Sequence, residues 1–348
     1  MASAKKIDKP KFPSELRLDL ISKDWVVIAT GRARRPGAFK KKGHGVDGIS
    51  KKVCPFCNIG KQEKPVAVYV KGKKIKDNRI SKDWTTVVFP NKYPAFLPHP
   101  HLDEKIEGNL YEKMNAVGFC EVVVTRDHEK SLALLPQSHM KEVIDSYQDR
   151  YLELSKKKFV NYISIFHNHG AEAGASQPHP HSQIITTPLI DIDLQRALLN
   201  SEKHFEDSKK CVYCEMNEWE KKVKKRIVFE NEDFLVICPF ASKSAFQVIV
   251  SPKNHLPYFE RINEKEKRGL AEAFQVALKK IYKGLSDPAY NFYLHTAPCD
   301  DKDYSYYHWH WTIMPKTATF AGFELGARME ISTIEPEKAA EYLKKQKV

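Results

Sequence analysis

The stretch ASQPHPHSQII (Ala175–Ile185) carries two histidines one residue apart, His179 and His181, with a proline between them. A second pair with the same spacing, His308 and His310, lies in YHWHW near the other end of the chain. In each half, a Cys-x-x-Cys motif and then a lone histidine precede the pair in the same order. A recurring order of this kind indicates an internal duplication, so we expect two similar units in the chain.

The distances between these motifs support the duplication. The residues that precede the histidine pairs are Cys54, Cys57 and His128 in the first half and Cys211, Cys214 and His255 in the second. The lone histidine precedes its pair by 51 residues in the first half (128 to 179) and by 53 in the second (255 to 308). Near residues 190–208, DIDLQRALLNSEKHFED is typical of a polar helix that joins the units. We therefore divide the chain into an N-terminal unit, 1–200, and a C-terminal unit, 201–348.

The periodicity of the hydrophobic residues predicts an α+β fold. Alternating, β-branched or aromatic runs that end in turn residues predict strands at 24–29, 120–125, 246–252, 291–298 and 308–315. Apolar residues at helical spacing predict two long helices, at 140–157 and 264–285. Each of these helices follows the lone histidine of its half and precedes a strand that leads to the histidine pair, which strengthens the case for duplication.

The composition indicates a globular protein with a sizeable core, because the chain has 348 residues of which 42% are hydrophobic. No apolar run approaches the ~20 residues needed to cross a bilayer, and none follows the basic residues of the N-terminal segment. We therefore expect no membrane partner, no secretory signal and a cytoplasmic location. The net charge of +13 comes from short, dispersed lysine runs. Such runs favour an ordinary lysine-rich surface over a nucleic-acid-binding one.

The cysteines point to metal binding. An odd count of seven without a secretory signal argues against a disulfide framework, and paired Cys-x-x-Cys motifs are typical of metal or redox sites. Zn²⁺ prefers four tetrahedral sulfur and nitrogen ligands, and a closed set of four is structural rather than catalytic. The predicted zinc ligands are Cys54, Cys57, His128 and His179 in one site and Cys211, Cys214, His255 and His308 in the other. The alternatives are a redox pair or ordinary buried cysteines.

If His179 binds metal, His181 is free to act as a nucleophile. Pro180 fixes its own φ and stiffens the turn, so His181 would be held rigidly. Imidazole is a good nucleophile near neutral pH, and its attack on phosphorus gives a phosphoramidate that can pass the group on. Gln183 would donate its amide to phosphoryl oxygens but cannot act as an acid or base. The turn that starts at Gly170 would let the backbone approach a phosphate, although an ordinary turn explains it equally well.

The segment NHGAEAGASQPHPHSQ closely resembles the active-site signature of galactose-1-phosphate uridylyltransferases, a branch of the histidine-triad superfamily. The resemblance extends over nearly the whole chain, through DWVVIATGRARRP, VVFPNKYPAF, TRDHEKS, LHTAP, YHWHW and AGFELGA. It implies two histidine-triad-like halves, each an antiparallel sheet with flanking helices, and a homodimer.

The resemblance also implies a two-step exchange between a UDP-hexose and a hexose-1-phosphate. His181 would take the uridylyl group from UDP-glucose, release glucose-1-phosphate, and pass the group to galactose-1-phosphate, while Gln183 would hold the covalent intermediate. The implied substrate-binding residues are Arg32 and Arg35 at the nucleotide, Asn91 at the base and ribose, Asn168, Gly170 and Ser176 at the phosphates, and Phe323 and Glu324 at the hexose.

The second metal site separates branches of this family. Some members hold iron through a glutamate downstream of the signature and through histidines matching His295, His308 and His310. Here Ala197 stands at the matching downstream position, and Cys211 and Cys214 supply thiolates instead. This pattern resembles the two-zinc members, which include a plant branch that phosphorolyses ADP-glucose.

The alternative function is therefore an ADP-glucose phosphorylase or adenylyltransferase that uses the same histidine. Three further hypotheses are less favoured. The first is a nucleotide hydrolase, against which Gln183 in place of a histidine argues. The second is a zinc-stabilised nucleic-acid-binding protein, which the positive charge would suit. The third is a non-catalytic zinc scaffold, which has no need of Gln183.

Overall fold

The computed structural model describes residues 14–29 and 50–348, so Arg32 and Arg35 lie outside the described residues. The strands are β1 (Glu15–Leu18), β2 (Trp25–Ile28), β3 (Ala67–Val70), β4 (Lys73–Lys74), β5 (Thr86–Pro90), β6 (Lys105–Glu107), β7 (Tyr111–Lys113), β8 (Cys120–Thr125), β9 (Tyr162–His169), β10 (His181–Thr187), β11 (Ile227–Glu230), β12 (Phe234–Ile237), β13 (Val248–Pro252), β14 (Tyr290–His295), β15 (His310–Pro315) and β16 (Ile331–Ser332). The helices are α1 (Gln137–Leu154), α2 (Ile192–Ser208), α3 (Val212–Val223), α4 (Glu264–Leu285), α5 (Gly322–Ala327) and α6 (Pro336–Lys344). Short 3-10 turns lie at 59–61, 132–134, 171–173 and 259–261.

The centre of the fold is one eleven-stranded sheet, in the order β11-β12-β13-β15-β14-β9-β10-β8-β5-β3-β4. All of its neighbouring strands are antiparallel. The strand order is symmetric about the middle of the sheet, where β9 pairs with β14. On one side follow β10, β8, β5 and β3, and on the other β15, β13, β12 and β11. The predicted antiparallel sheet of each half is confirmed, and the two are joined side by side. The division of the chain at residue 200 stays a prediction, and that residue lies within α2.

The two faces of the sheet have different roles. Side chains alternate along a strand, so Ile184 of β10, Ile165 of β9 and Trp311 of β15 point to one face. There they share a core with residues of α1 and α4 such as Tyr147 and Phe274. This is the helix-covered face. His181, Gln183, Phe166, Tyr293, His310 and Thr312 point to the opposite face, called here the histidine face.

The two long helices occupy equivalent places and were anticipated by the sequence. α4 has the predicted bounds, because Asn263 and Glu266 form a capping box at its start and Ser286 ends it in a left-handed conformation. α1 lies three residues earlier than predicted, after Pro136. The five predicted strands are confirmed, the one at 120–125 with the same bounds and the other four with shifted ends. β15 begins at His310, so His308 precedes the strand although we expected it to be part of it.

Smaller elements surround the sheet. β1, β2 and β16 form a three-stranded sheet, and β6 with β7 forms a separate hairpin. The side chain of Arg17 on β1 bonds Glu337 on α6 and so ties this small sheet to the C-terminal helix. Within residues 14–29 and 50–348, no helix combines the length and the apolar character needed to cross a membrane.

Candidate functional site

The first predicted metal group is brought together by three separate parts of the chain. Cys54 and Cys57 lie before β3, His128 follows β8, and His179 stands two residues before β10. The distance from the Sγ atom of Cys57 is 3.3 Å to Nδ1 of His128 and 3.5 Å to Nδ1 of His179, and the two Nδ1 atoms are 3.3 Å apart. Tetrahedral Zn–S and Zn–N bonds of ordinary length would separate neighbouring ligand atoms by about 3.5 Å. The group therefore has the size and donor chemistry of a closed tetrahedral metal site.

The second group repeats this construction. Cys211 is the N-cap of α3, Cys214 lies in its first turn, His255 follows β13 and His308 precedes β15. Sγ of Cys214 is 3.5 Å from Nδ1 of both His255 and His308. The lone histidine stands three residues past its strand in both halves (125 to 128 and 252 to 255). Both groups can therefore hold a metal ion of the same coordination chemistry.

Backbone carbonyls set the tautomers of these ligands. Nε2–H of His179 donates to the carbonyl of Thr125 at 2.6 Å, and Nε2–H of His255 donates to that of Ser305 at 2.6 Å. With the proton on Nε2, the Nδ1 lone pair is left for a metal, an arrangement common among metal-binding histidines. Burial lowers the pKa of His179 to about 4, so this imidazole is neutral and ready to coordinate at pH 7.

His181 is the first residue of β10. Its ring is held through Nδ1, whereas the ring of His179 is held through Nε2. Its Nδ1–H donates to the carbonyl of His179 at 2.9 Å, so the Nε2 lone pair is unprotonated. The ring packs against Phe56, which lies between the two cysteines of the first metal group, with 4.9 Å between the ring centroids. Burial lowers the pKa of His181, which favours the neutral, nucleophilic imidazole. The His181 ring is thus held through Nδ1, and its lone pair lies on Nε2.

Gln183 lies two residues further along β10 and faces the same side as His181. In the sheet it stands opposite Phe166 of β9 and Val122 of β8. Both of these neighbours are apolar, and Gln183 shares the histidine face with His181. The two predicted catalytic residues are therefore brought together, although their roles stay predictions.

The glycine-rich turn between β9 and β10 has a left-handed backbone at Gly170 (φ 80°) and at Gly174 (φ 84°). Asn291 of β14 stabilises it, because its Nδ2 donates to Oδ1 of Asn168 and to the carbonyl of Ala173, both at 2.8 Å. With its oxygen held, Asn168 keeps its own amide free to donate on the histidine face. Ser176 lies at the end of the same turn.

The remaining predicted contacts lie further out. The Oδ1 atom of Asn91 accepts from the backbone N–H of Tyr93 at 3.0 Å, so this side chain caps its own turn after β5. Phe323 and Glu324 belong to α5, none of whose residues is buried, and the Phe323 ring is half exposed. Among the residues that the structure describes, no contact joins α5 to His181, and the roles predicted for Asn91, Phe323 and Glu324 stay predictions.

The second half contains a counterpart of the nucleophile arrangement that the sequence interpretation missed. Nδ1 of His310 faces the carbonyl of His308 at 3.3 Å, as His181 faces that of His179. Tyr213, at the Phe56 position of the second Cys-x-x-Cys motif, packs on the His310 ring with 5.2 Å between centroids. Aligning CPFC with CVYC would have revealed this similarity. Thr312 replaces Gln183 in this half, and burial holds the pKa of His310 well below its usual range.

A cavity of about 1220 Å³ opens on the histidine face, over β9, β14 and β15. Asn168 and Phe166 line one end, next to the glycine-rich turn, and His310 and Tyr213 line the other. His181 is not among its lining residues, so the cavity extends away from the nucleophile and across the middle of the sheet.

Comparisons with known proteins agree with this geometry. The family model described as galactose-1-phosphate uridyl transferase, N-terminal domain, matches residues 8–190, which include both the first metal group and His181. A second family model, described as a domain of unknown function (DUF4921), matches residues 124–347.

Two curated relatives resemble the chain over nearly its whole length. A galactose-1-phosphate uridylyltransferase of Thermotoga maritima is 30% identical over 96% of this chain and 99% of its own. An ADP-glucose phosphorylase of Arabidopsis thaliana is 29% identical over 95% of this chain and 92% of its own. Among solved structures, an ADP-glucose phosphorylase from Arabidopsis thaliana with bound ADP-glucose superposes with a TM-score of 0.79 at 25% identity, covering 97% of this chain and all of that one.

Proposed function

Since the chain belongs to the galactose-1-phosphate uridyl transferase family, we propose that it is a UDP-glucose–hexose-1-phosphate uridylyltransferase that works through a uridylyl-His181 intermediate. The observation that carries the proposal is the hydrogen bond from Nδ1 of His181 to the carbonyl of His179, 2.9 Å long. It leaves Nε2 unprotonated and aims it out of the sheet. A group that forms and breaks a covalent bond to phosphorus needs this combination of free lone pair and fixed direction.

The reaction has two steps that use the same nitrogen. In the first, Nε2 of His181 bonds to the α-phosphorus of UDP-glucose, the bond from that phosphorus to the bridging oxygen breaks, and glucose-1-phosphate leaves with the oxygen. In the second, a phosphate oxygen of a hexose-1-phosphate attacks the same phosphorus, and the P–N bond breaks. His181 returns to its starting neutral form. No water is consumed, because the uridylyl group is accepted by a phosphate oxygen.

The neighbouring residues hold the phosphoryl group during these steps. Gln183 donates its amide to the oxygens on phosphorus, and because it carries no titratable proton it does not activate water. Asn168 donates from the glycine-rich turn, where Gly170 lets the backbone approach the phosphates. Donors fixed in place before the reaction stabilise the developing charge without reorganising.

Two zinc ions are the metals we propose for the Cys₂His₂ groups. The donor set of two thiolates and two imidazoles suits Zn²⁺, and all four positions are supplied by protein, so the ions would be structural. The first ion would fix His179, whose carbonyl in turn orients His181. We propose a cytoplasmic location, since seven free cysteines suit a reducing compartment. We also propose a homodimer in which Phe323 and Glu324 reach the hexose in the neighbouring subunit.

A second candidate is an ADP-glucose phosphorylase that uses the same nucleophile. The structure with bound ADP-glucose, which superposes with a TM-score of 0.79, favours it. The two candidates differ in the base, uracil or adenine, and in the acceptor, a hexose-1-phosphate or inorganic phosphate.

Intact-protein mass spectrometry distinguishes these candidates. The protein is mixed with UDP-glucose, and separately with ADP-glucose, with no acceptor present. A uridylyl adduct that disappears in His181→Ala supports the uridylyltransferase, and an adenylyl adduct supports the phosphorylase. His310→Ala is the matched control, because this histidine has the same surroundings in the other half and should leave the adduct unchanged. Absence of any adduct from either nucleotide would contradict both candidates.

A further inference from the structure

Directly behind the nucleophile, on the helix-covered face, three buried polar groups form a chain of hydrogen bonds. Nδ1 of His167 on β9 is 3.2 Å from Oγ of Ser182 on β10. The same Oγ is 2.6 Å from the hydroxyl of Tyr147 on α1. His167 is fully buried, and Ser182 and Tyr147 are each 2% exposed. Polar groups are costly to bury and usually need a reason for being in a core.

These groups border an apolar part of the core. Toward the middle of each strand, the next residues on the same face are Ile165 and Ile184, both completely buried. The His167 ring is stacked on Phe292 of β14, with 4.9 Å between the centroids and 10° between the planes. This stacking holds the plane of the ring, and the contact with Ser182 places Nδ1 toward β10. Isoleucines would pack at these two positions without needing any hydrogen bond. A serine and a histidine occupy them instead.

Ser182 connects this chain of hydrogen bonds to the strand that carries His181 and Gln183. Ser182 is the residue between His181 and Gln183, and it points to the face opposite theirs. It stands opposite His167 in the sheet. The His167 imidazole therefore contacts the side chain that directly follows His181 in the strand.

We propose that His167 is a positioning residue for nucleotidyl transfer: through Ser182 and Tyr147 it fixes the part of β10 from which His181 and Gln183 project. The inference rests on the proposed function, because it assumes that His181 is the nucleophile. His167 does not touch the substrate. It acts by holding Nε2 of His181 on the line of attack at phosphorus, where a displacement of about 1 Å lowers a rate by roughly a hundredfold.

The test is a double-mutant cycle on the rate at which the covalent adduct forms. The variants are His167→Phe, which keeps the ring and its stacking on Phe292, Ser182→Ala, and the two together. The single-turnover rate is measured with whichever nucleotide sugar labels the wild-type protein, and steady-state kcat and KM are measured with the full reaction. We expect each single variant to lose roughly ten- to a hundredfold in rate and in kcat, with KM unchanged. The double variant should lose no more than the worse single one, because both remove the same contact.

A conservative variant and a matched control separate positioning from stability. His167→Asn keeps a polar atom near the place of Nδ1 and should recover most of the rate. His169→Phe makes the same substitution on the same strand, but His169 bonds Asp287 and not β10, so it should change the melting temperature and leave the rate as it is. If His167→Phe does not fold, Tyr147→Phe cuts the same chain of bonds at its other end and replaces it in the cycle.

The outcomes are distinct for the two proposals. A labelled wild-type protein with normal rates in His167→Phe and Ser182→Ala overturns the role of His167 and leaves the proposed function intact. An equal loss in His169→Phe, or losses that add in the double variant, overturns it as well. A wild-type protein that takes no label from UDP-glucose or ADP-glucose overturns the proposed function, and the inference falls with it.

Discussion

At the scale of single residues, the two histidines of the HPH motif differ only in which ring nitrogen meets a carbonyl. His179 donates from Nε2 to Thr125, which leaves Nδ1 for a metal. His181 donates from Nδ1 to His179, which leaves the Nε2 lone pair unprotonated. The sequence analysis divided the roles of the two histidines by counting zinc ligands, since a site closed by His179 leaves His181 free, and that division stays a prediction. The carbonyl partners could not be predicted, since they come from distant segments.

The first metal group gives a prediction at this scale. Cys54→Ser should reduce the zinc content from two ions to about one per chain and lower the melting temperature, because a structural site contributes folding free energy. Metal analysis and thermal unfolding measure both effects. Cys120→Ser is the control, since Cys120 is also buried but lies outside both metal groups. Unchanged metal content in Cys54→Ser would show that this group does not bind the ion.

At the scale of elements, the sequence predicted best the strands and helices whose hydrophobic residues recur at regular spacing. The strands at 120–125 and 246–252 and the helix at 264–285 were recognisable because their periodicity is local and strong. The pairing of β9 with β14 was not recognisable, because it joins residues more than a hundred positions apart and no local pattern encodes it. The His167–Ser182 contact joins residues only 15 positions apart, and it was missed because the register of β9 against β10 could not be predicted from the sequence. The assignment of His308 to a strand was wrong because His308 bonds Pro252 and turns toward the metal group before β15 begins.

The contact between β14 and β15 predicts an acid sensitivity. His295 is partly buried at the end of β14 and stacks on His310, with 4.7 Å between the ring centroids. Burial lowers the pKa of His295 to about 4; Asp191 acts against this shift and Lys243 adds to it. An unfolded histidine has a pKa near 6.5, so below that pH the unfolded chain binds a proton that the folded chain does not. Stability should therefore fall as the pH drops from about 6.5 to about 4, by roughly 3 kcal/mol for this residue.

The variant His295→Phe tests this expectation. Its free energy of unfolding, measured by denaturant at several pH values between 7 and 4.5, should fall less steeply than that of the wild-type protein. Because the two proteins share both Cys₂His₂ groups, any metal loss in acid affects them equally and the comparison isolates the histidine. His101→Phe, on an exposed loop, should leave the slope unchanged. Identical slopes for His295→Phe and the wild type would mean that His295 does not titrate as proposed.

At the scale of the whole molecule, the two repeats share one core. α1 and α4 pack on the same face of the continuous sheet, and their buried residues belong to a single cluster. Lys267 of α4 bonds Asp145 of α1, with 2.8 Å between the charged atoms, and Lys141 bonds Glu264 at the same distance. Neither repeat can therefore lose its packing without exposing the other.

This shared core predicts that the chain unfolds as one unit. Calorimetry of the metal-loaded protein should show one transition, with a calorimetric enthalpy equal to the van't Hoff enthalpy. Fluorescence of Trp309 and Trp311, both buried in the core, should change at the same temperature as the far-ultraviolet circular dichroism. Two resolved transitions, each assignable to one half, would show instead that the repeats are independent.

Joining the repeats through β9 and β14 also reduces the number of strand edges through which one copy of the protein can pair with another. Two separate sheets would expose four edge strands, each a template for unwanted strand pairing, whereas the fused sheet has two. One of these, β4, consists of two exposed lysines, which repel a second copy. Beside the other, β11, Arg226 bonds Glu337 of α6 at 2.6 Å and fixes that helix there. The joining of the two repeats in one sheet thus also limits aggregation of this chain through the edges of that sheet.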